Sequence, residues 1–458
     1  VDHTRRDCAV DNRITVDNRL AHMDQVSFLG VRALGYGTLA QVVWLYNRQV
    51  DFDGLRRFHR NLGHGLLGRR IERSPLPFAR DRWVVSSGPA NIDVADAARS
   101  RAEVNDWAYE RACLPIDPEV GPGWHLGVLP VADYGAAVTL VASHTLVDGL
   151  ALCQVIADAA KGRTHDLGYP PPASRTRRSA VLEDARLTLA SIPELAKAVA
   201  TMVRLARQDR QELASSIAAA PPRPRAGRSE PVVVPTLVAF VDEAQWDAGA
   251  KRLGGTSNSL FAGFAARLGV RMDRRLDDGS LTLAFPVGER QKGDTRGNAL
   301  TFASITVDPT HAASDLAEIR SKLKSALTEL AANSNELLGT IPLAALTPPW
   351  LARRLVGAGL GSAALPIGCS NLGPLDPAAA RPDGTDADYA YGRLIEPGIP
   401  LRTLENIGGQ LFVASGRVLG KVFITVIAYR PGRANTAAEL RELVSSTFAE
   451  FQLTAEIT

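Results

Sequence analysis

The chain has 458 residues, 45% of them hydrophobic and 22% charged, with a formal net charge of +3, the profile of an ordinary soluble globular protein long enough for two domains of typical size. The basic residues are not gathered with aromatics into one face, which argues against a nucleic-acid partner. The four cysteines, Cys8, Cys113, Cys153 and Cys369, form no Cys-x-x-Cys pair, so neither a zinc site nor a disulfide framework is indicated and a reduced, cytoplasmic compartment is expected.

Residues 1–22 are polar and charged and lack the apolar core of a secretory signal, so they are expected to be a flexible N-terminal segment, with the ordered chain starting near Met23. Strand-like and helix-like patterns then alternate to about Gly168 and end in a Pro/Arg/Ser linker from Pro170 to Arg178. This stretch, 23–178, reads as an N-terminal lobe. Within it an apolar, strand-like run from Ala136 to Ala142 enters the segment Val-Ala-Ser-His-Thr-Leu-Val-Asp-Gly-Leu, Val141 to Leu150.

That segment is the most informative in the chain. His144, three spacers and the pair Asp148-Gly149 describe a general base at a strand end with a fixing carboxylate one turn on. Moving an acyl group from a thioester to an alcohol requires a group that takes the hydroxyl proton as oxygen attacks, and a neutral imidazole suits that task. Asp148 is expected to turn away from substrate and to hold the turn through a buried ion pair. Gly149 is expected to supply a positive φ or a close backbone approach. The same pattern also suits a satisfied core histidine at a strand end.

Residues 179–231 read as a connection: apolar residues at helical spacing predict one long basic amphipathic helix over Leu182 to Ser216, carrying Arg204, Arg207 and Arg210. Its expected role is a bridge between lobes. A Pro-rich crossover follows from Pro221 to Pro231, where Pro221, Pro222 and Pro224 cannot continue a helix. A strand from Val232 to Val241 opens the C-terminal lobe, 232–458. No window reaches the roughly 18 apolar residues of a membrane span, although Leu337 to Leu365 is apolar enough for buried helices or a membrane-touching face. Gly357-x-Gly359-x-Gly361 follows an Arg353-Arg354 helical pattern instead of a strand and is no dinucleotide loop. Asn371 allows two readings: an amide that polarises a thioester carbonyl or its oxyanion, or a turn residue that caps its own backbone.

On these residues the chain resembles the acyltransferase superfamily that shares the His-x-x-x-Asp-Gly motif, and within it the bacterial wax-ester synthase/diacylglycerol acyltransferases. The resemblance runs from Met23-Asp24 and Phe28-Leu29 through Arg69-Arg70, Ser74-Pro75-Leu76, Trp83, Leu114-Pro115-Ile116-Asp117 and Gly123-Trp124 to His144. It continues with Thr256-Ser257-Asn258-Ser259, Pro286-Val287-Gly288-Glu289-Arg290, Gly297-Asn298 and Ser370-Asn371-Leu372-Gly373-Pro374. It departs at Ser143, where the family usually has a first histidine, at Ser259 for an aspartate, at Gly123 for a leucine, and in Leu372-Gly373-Pro374 for Pro-Gly-Pro. These departures fall on positions expected to line or support the acceptor side.

The resemblance implies an α/β (α+β) fold of two chloramphenicol-acetyltransferase-like lobes forming a pseudo-dimer, with a tunnel between them and His144 where acyl donor and alcohol meet. It implies that Arg290 clamps Asp148 through a bidentate pair, and it makes Asn371, Ser370, Asn258, Trp124 and Ser143 the candidates for substrate or oxyanion contact. The implied activity is acyl-coenzyme A-dependent O-acylation of a lipophilic alcohol such as diacylglycerol or a fatty alcohol, with no bound cofactor and no metal. The expected partners are acyl-coenzyme A, the lipid alcohol and a membrane or lipid-droplet surface touched peripherally, for a monomer or weak dimer. Two alternatives stand beside it: a condensation-type enzyme that takes its acyl group from a carrier protein and acylates an amine or complex glycolipid, and a catalytically silent lipid-binding relative.

Overall fold

The computed structural model describes residues 17–132, 134–208, 230–332, 336–346 and 366–458. The apolar run that ends at the motif is buried along its whole length, Gly135–Ser143, and its backbone groups are satisfied on both sides by neighbouring strands. The first part of the chain supplies β1 (Leu39–Tyr46), β2 (Arg69–Glu72), β3 (Arg82–Val85), β4 (Asp93–Val94), β5 (Trp124–Val131) and β6 (Gly135–Ser143), with α1 (His22–Leu34), α2 (Phe52–Leu62), α3 (Val104–Ala112) and α4 (Gly149–Ala160). Next come α5 (Arg177–Ala190) and α6 (Ile192–Gln208). The later part supplies β7 (Thr236–Asp242), β8 (Leu281–Gly288), β9 (Leu300–Val307), β10 (Ile367–Pro374), β11 (Tyr389–Ile395), β12 (Gln410–Val418), β13 (Lys421–Tyr429) and β14 (Glu456–Ile457). With these strands are α7 (Glu243–Arg252), α8 (Ser257–Arg271), α9 (Ala317–Ala332), α10 (Leu401–Asn406) and α11 (Ala437–Glu450).

The fold is α/β with two mixed sheets. One has the strand order β11-β1-β6-β5-β4 and the other β14-β7-β13-β12-β10-β8-β9, with β2 and β3 as a separate ribbon. The first sheet is antiparallel except for β4 against β5; the second is antiparallel except where β10 runs parallel to both β12 and β8. Each sheet has its own apolar core. In the second, α8 lays Leu260, Phe261, Phe264 and Leu268 against the strands, all buried, and each such side chain contributes about 1.5–3 kcal/mol. Thr256 starts this helix with a capping box in which Ser259 Oγ accepts from the Thr256 N–H at 2.7 Å, which satisfies donors the helix would otherwise leave open.

One strand crosses between sheets. β11 belongs by sequence to the stretch 232–458, yet it pairs along β1 with Leu39 opposite Ile395 and Val43 opposite Tyr391. The first sheet is therefore completed by a strand from the second half of the chain, and Thr425 Oγ1 on β13 donates to Gly392 O at 3.1 Å to hold it there.

The connection differs from the single long helix expected over Leu182 to Ser216. It is broken at Ser191, and Pro193, lacking an N–H, stands in the first turn of α6, where that loss costs least. α5 is fastened to the first half of the chain by buried Asp184, which accepts from Arg82, Arg175 and Ser74. α6 packs on the turn Glu336–Leu346, which also meets α1. The expected strand over Val232 to Val241 begins only at Thr236, because Val232 instead donates to Ile399 O at 3.0 Å. Arg210, Cys8, the run Gly357 to Gly361, Arg353-Arg354 and most of the Pro221 to Pro231 crossover lie outside the described residues, as does Leu337 to Leu365 beyond position 346.

Candidate active site

β6 delivers His144 to its C-terminal end. The His144 N–H donates to Thr38 O at 3.1 Å, and its carbonyl accepts from Asn298 Nδ2 at 3.0 Å. The chain then turns through Thr145 to Val147, with the Leu146 N–H on Ser143 O at 2.9 Å, and enters α4. Asp148 is the N-cap of that helix: its Oδ1 accepts from the Ala151 N–H at 2.8 Å. A carboxylate at this place is favoured twice, by the open N–H groups and by the positive end of the helix dipole.

Asp148 Oδ2 faces the other way and accepts from Arg290 Nη2 at 2.6 Å and from the Ala299 N–H at 3.1 Å. The pair with Arg290 is thus single-pronged and not the bidentate fork expected, because Oδ1 is committed to the helix. Arg290 Nη2 also donates to Gly297 O at 3.0 Å, and Gly297 O accepts from the Asp148 N–H at 2.8 Å. Gly149 has no positive φ; it is the first residue of α4, and its absent side chain serves close packing, since a Cβ there would lie 3.2 Å from Leu372 Cδ2.

A second carboxylate, Asp24 on α1, lies beneath the same turn with no solvent exposure. Its oxygens accept from the Gly297 N–H at 2.8 Å, the Asn298 N–H at 2.7 Å and Asn298 Nδ2 at 3.2 Å. Asn298 therefore links Asp24 directly to the backbone of His144. Arg69, itself buried, donates to Leu146 O at 2.8 Å and Thr295 O at 2.6 Å, with its guanidinium 3.8 Å from the Trp83 ring centroid. In the sequence Asp24, Arg69 and Asn298 are points of resemblance alone. Their shared function depends on contacts that join positions up to 274 residues apart, which local patterning does not display.

The imidazole of His144 stands in the wall of a cavity of about 520 Å³ between elements of the two sheets, within the usual range for a ligand site. Val31, Val42, Ile156, Phe302, Leu372 and Phe412 make most of its wall apolar. Burial pushes the imidazole below the ordinary histidine value, against the opposing pull of the Asp148 charge and of hydrogen bonds that include Asn298. The neutral, proton-accepting form is favoured. Cys153 also lines the cavity, but burial and the nearby Asp148 charge push its thiol up to about 12, so it is no thiolate nucleophile.

The other expected site residues divide. Ser370 and Asn371 reach the cavity from β10. Asn371 Oδ1 accepts from the Gly373 N–H at 2.9 Å and its Nδ2 donates to Asn258 Oδ1 at 2.6 Å, so it caps its own turn and ties it to the start of α8. Asn258 is exposed and outside the cavity lining. Trp124 is also outside it: the indole is buried, donates to Leu67 O at 2.9 Å and stands against His59. Ser143 is buried within the turn, its Oγ accepting from the Thr145 N–H at 3.3 Å. Ser259 and Gly123, two of the departures, are structural as well. Ser259 caps α8, and Gly123 leaves room for Leu146, whose Cδ1 would lie 2.5 Å from a Cβ.

No family model matches the chain, and no curated protein matches it. Solved structures do. The first condensation domain of the calcium-dependent antibiotic synthetase, in complex with a substrate analogue, aligns with a TM-score of 0.57 at 13% identity over 95% of this chain and 96% of that one. The wax ester synthase/diacylglycerol acyltransferase from Marinobacter aquaeolei VT8 gives 0.54 at 17% over 95% and 98%. Polyketide synthase associated protein 5 from Mycobacterium tuberculosis gives 0.53 at 16% over 95% and 98%. The chain shares the fold of these condensation-domain and acyltransferase structures. At these identities the likeness is one of fold and singles out none of the three.

Proposed function

We propose that this chain is a thioester-dependent acyltransferase of condensation type, in which His144 is the general base and the two sheets act as lobes that bring donor and acceptor together in the cavity. The observation that carries the reading is the placement of a neutral imidazole in an apolar cavity wall, on a turn fixed by Asp148 and Arg290. His144 takes the proton from the acceptor hydroxyl or amine as its oxygen or nitrogen attacks the thioester carbonyl carbon. The C–S bond then breaks, and the proton passes to the departing thiolate. No acyl-enzyme is formed. Asp148, Arg290 and Asp24 position the base and do not touch the reacting atoms, while Ser370 and Asn371 border the same cavity.

The acyl donor is read as a thioester on a carrier protein, the condensation-type alternative, since the aligned structures include a condensation domain and a polyketide-synthase-associated protein. The aligned wax ester synthase and the apolar cavity support the second reading, acyl-coenzyme A with a lipophilic alcohol. For that reading the acceptor must be met at a surface, and α6 exposes Val199, Met202 and Val203 beside Arg204 and Arg207. Among the described residues no helix is long and apolar enough to cross a membrane. The test is a product assay with a labelled acyl group offered on a carrier protein, on coenzyme A and on pantetheine, each against alcohols and amines. Ester or amide formed from the carrier-bound donor supports the first reading, preference for coenzyme A with long-chain alcohols supports the second, and binding without turnover contradicts both.

A further inference from the structure

Among the described residues, Glu396 is the one acidic side chain that lines the cavity. Its position follows from strand register. Leu39 on β1 is flanked by Ser143 on β6 and by Ile395 on β11, so one residue further Thr38 stands between His144 and Glu396. Thr38 O accepts the His144 N–H at 3.1 Å, and Thr38 Oγ1 donates to Glu396 Oε1 at 2.8 Å. Adjacent strands lie about 4.8 Å apart, so the backbones of His144 and Glu396, on the two strands that flank β1, are roughly 10 Å apart, and both residues line the same cavity.

The carboxylate is held by neutral donors. Gln410 Nε2 reaches Oε2 at 3.4 Å, and no ion pair to Glu396 is formed among the described residues. Arg393 on β11, which also borders the cavity, directs Nε away to Gln41 Oε1 at 2.8 Å, and Gln41 in turn donates to Ala108 O on α3. Two neutral donors leave lone pairs of the carboxylate open towards the cavity, where a cationic donor would add Coulomb attraction to its hydrogen bond.

We infer that Glu396 anchors an ammonium group on the acceptor, so that the acceptor is an amino alcohol whose hydroxyl reaches His144 while its ammonium rests on Glu396. This rests on the acyl-transfer reading above. In the step itself the hydroxyl oxygen bonds to the thioester carbonyl carbon, the C–S bond breaks, and the hydroxyl proton passes through His144 to the thiolate. The ammonium keeps its protons and is not acylated.

The test uses the full chain with an acyl-pantetheine thioester and compares 5-aminopentan-1-ol, its N-acetyl derivative, pentane-1,5-diol and pentan-1-ol. The wild type is expected to prefer the amino alcohol over pentan-1-ol by about tenfold or more in kcat/KM. In Glu396→Gln the KM for the amino alcohol should rise by about the same factor, so that the preference disappears, and Glu396→Asp should restore part of it. Equal use of all four acceptors by the wild type, or an equal loss on all four in Glu396→Gln, overturns the inference. A diol used as well as the amino alcohol overturns the ammonium in favour of a neutral donor. If no acceptor is acylated, the acyl-transfer reading has failed separately. Calorimetric binding of pentylammonium against pentan-1-ol to the wild type then decides for the anchor, and should the Gln variant not fold, the same comparison stands in for it. Absence of a preference for the cation overturns the anchor.

Discussion

His144 and Asp148 are legible in sequence as a pair because the motif is local: the two lie within one turn, and the apolar strand before them announces the strand end. What is not legible is how the turn is held. Arg290 could be chosen only through resemblance, and Asp24, Arg69 and Asn298 had no role at all until the fold brought them beneath the same turn. Two outcomes are expected at this scale. Because burial lowers the imidazole pKa in the folded protein, His144 stays neutral below the ordinary value of about 6.5. The acid limb of kcat/KM, which reports the free enzyme, should therefore fall at lower pH than that, and Asp148→Asn should move it lower still by removing a charge that supports the protonated form. A limb above the ordinary value would contradict the assignment. Removing one side of the buried pair, Asp148→Asn or Arg290→Gln, should cost on the order of 3–5 kcal/mol, and the double variant clearly less than the sum of the singles. Strict additivity in denaturant unfolding would show that the 2.6 Å contact carries no coupling.

Strand β6 and the start of α8 follow from composition, since one is continuously apolar and the other opens on a threonine cap. The strand exchange of β11 does not, because nothing in Tyr389–Ile395 distinguishes pairing with β1 from pairing within its own half of the chain. The break at Ser191 was readable from Pro193, but helical periodicity continues across it and hides the stop. Ser259 shows how a departure from a family pattern can be structural: it was expected to bear on the acceptor, and it closes a capping box instead. Ser259→Ala is accordingly expected to lower stability by about 1 kcal/mol, read as a shift of the denaturant midpoint, with the ranking of acceptors unchanged. A changed ranking at unchanged stability would restore the acceptor-side reading.

At the scale of the whole molecule, two mixed sheets with separate cores meet at one apolar cavity, and the charged side chains of the catalytic turn are packed away from it. Under the proposed function, that division leaves the turn held by ion pairs and backbone hydrogen bonds, with His144 as the one titrating group of the direct transfer. If long-chain acceptors are used, the exposed apolar and basic face of α6 should give reversible binding to anionic vesicles. Arg204→Gln with Arg207→Gln should weaken that binding, each arginine near the headgroups contributing about 1 kcal/mol. Flotation of the wild type at low salt checks this, and no binding there would favour a soluble or carrier-bound acceptor. The most direct test of the central claim is a single-turnover measurement of labelled acyl group from a thioester to acceptor, comparing the wild type with His144→Ala. Product is expected with no labelled protein intermediate in the wild type, and at a rate lower by about 100-fold to 10,000-fold in His144→Ala with folding and thioester binding retained. Transfer by His144→Ala within a few-fold of the wild type, or a labelled acyl-enzyme that precedes product, would contradict it.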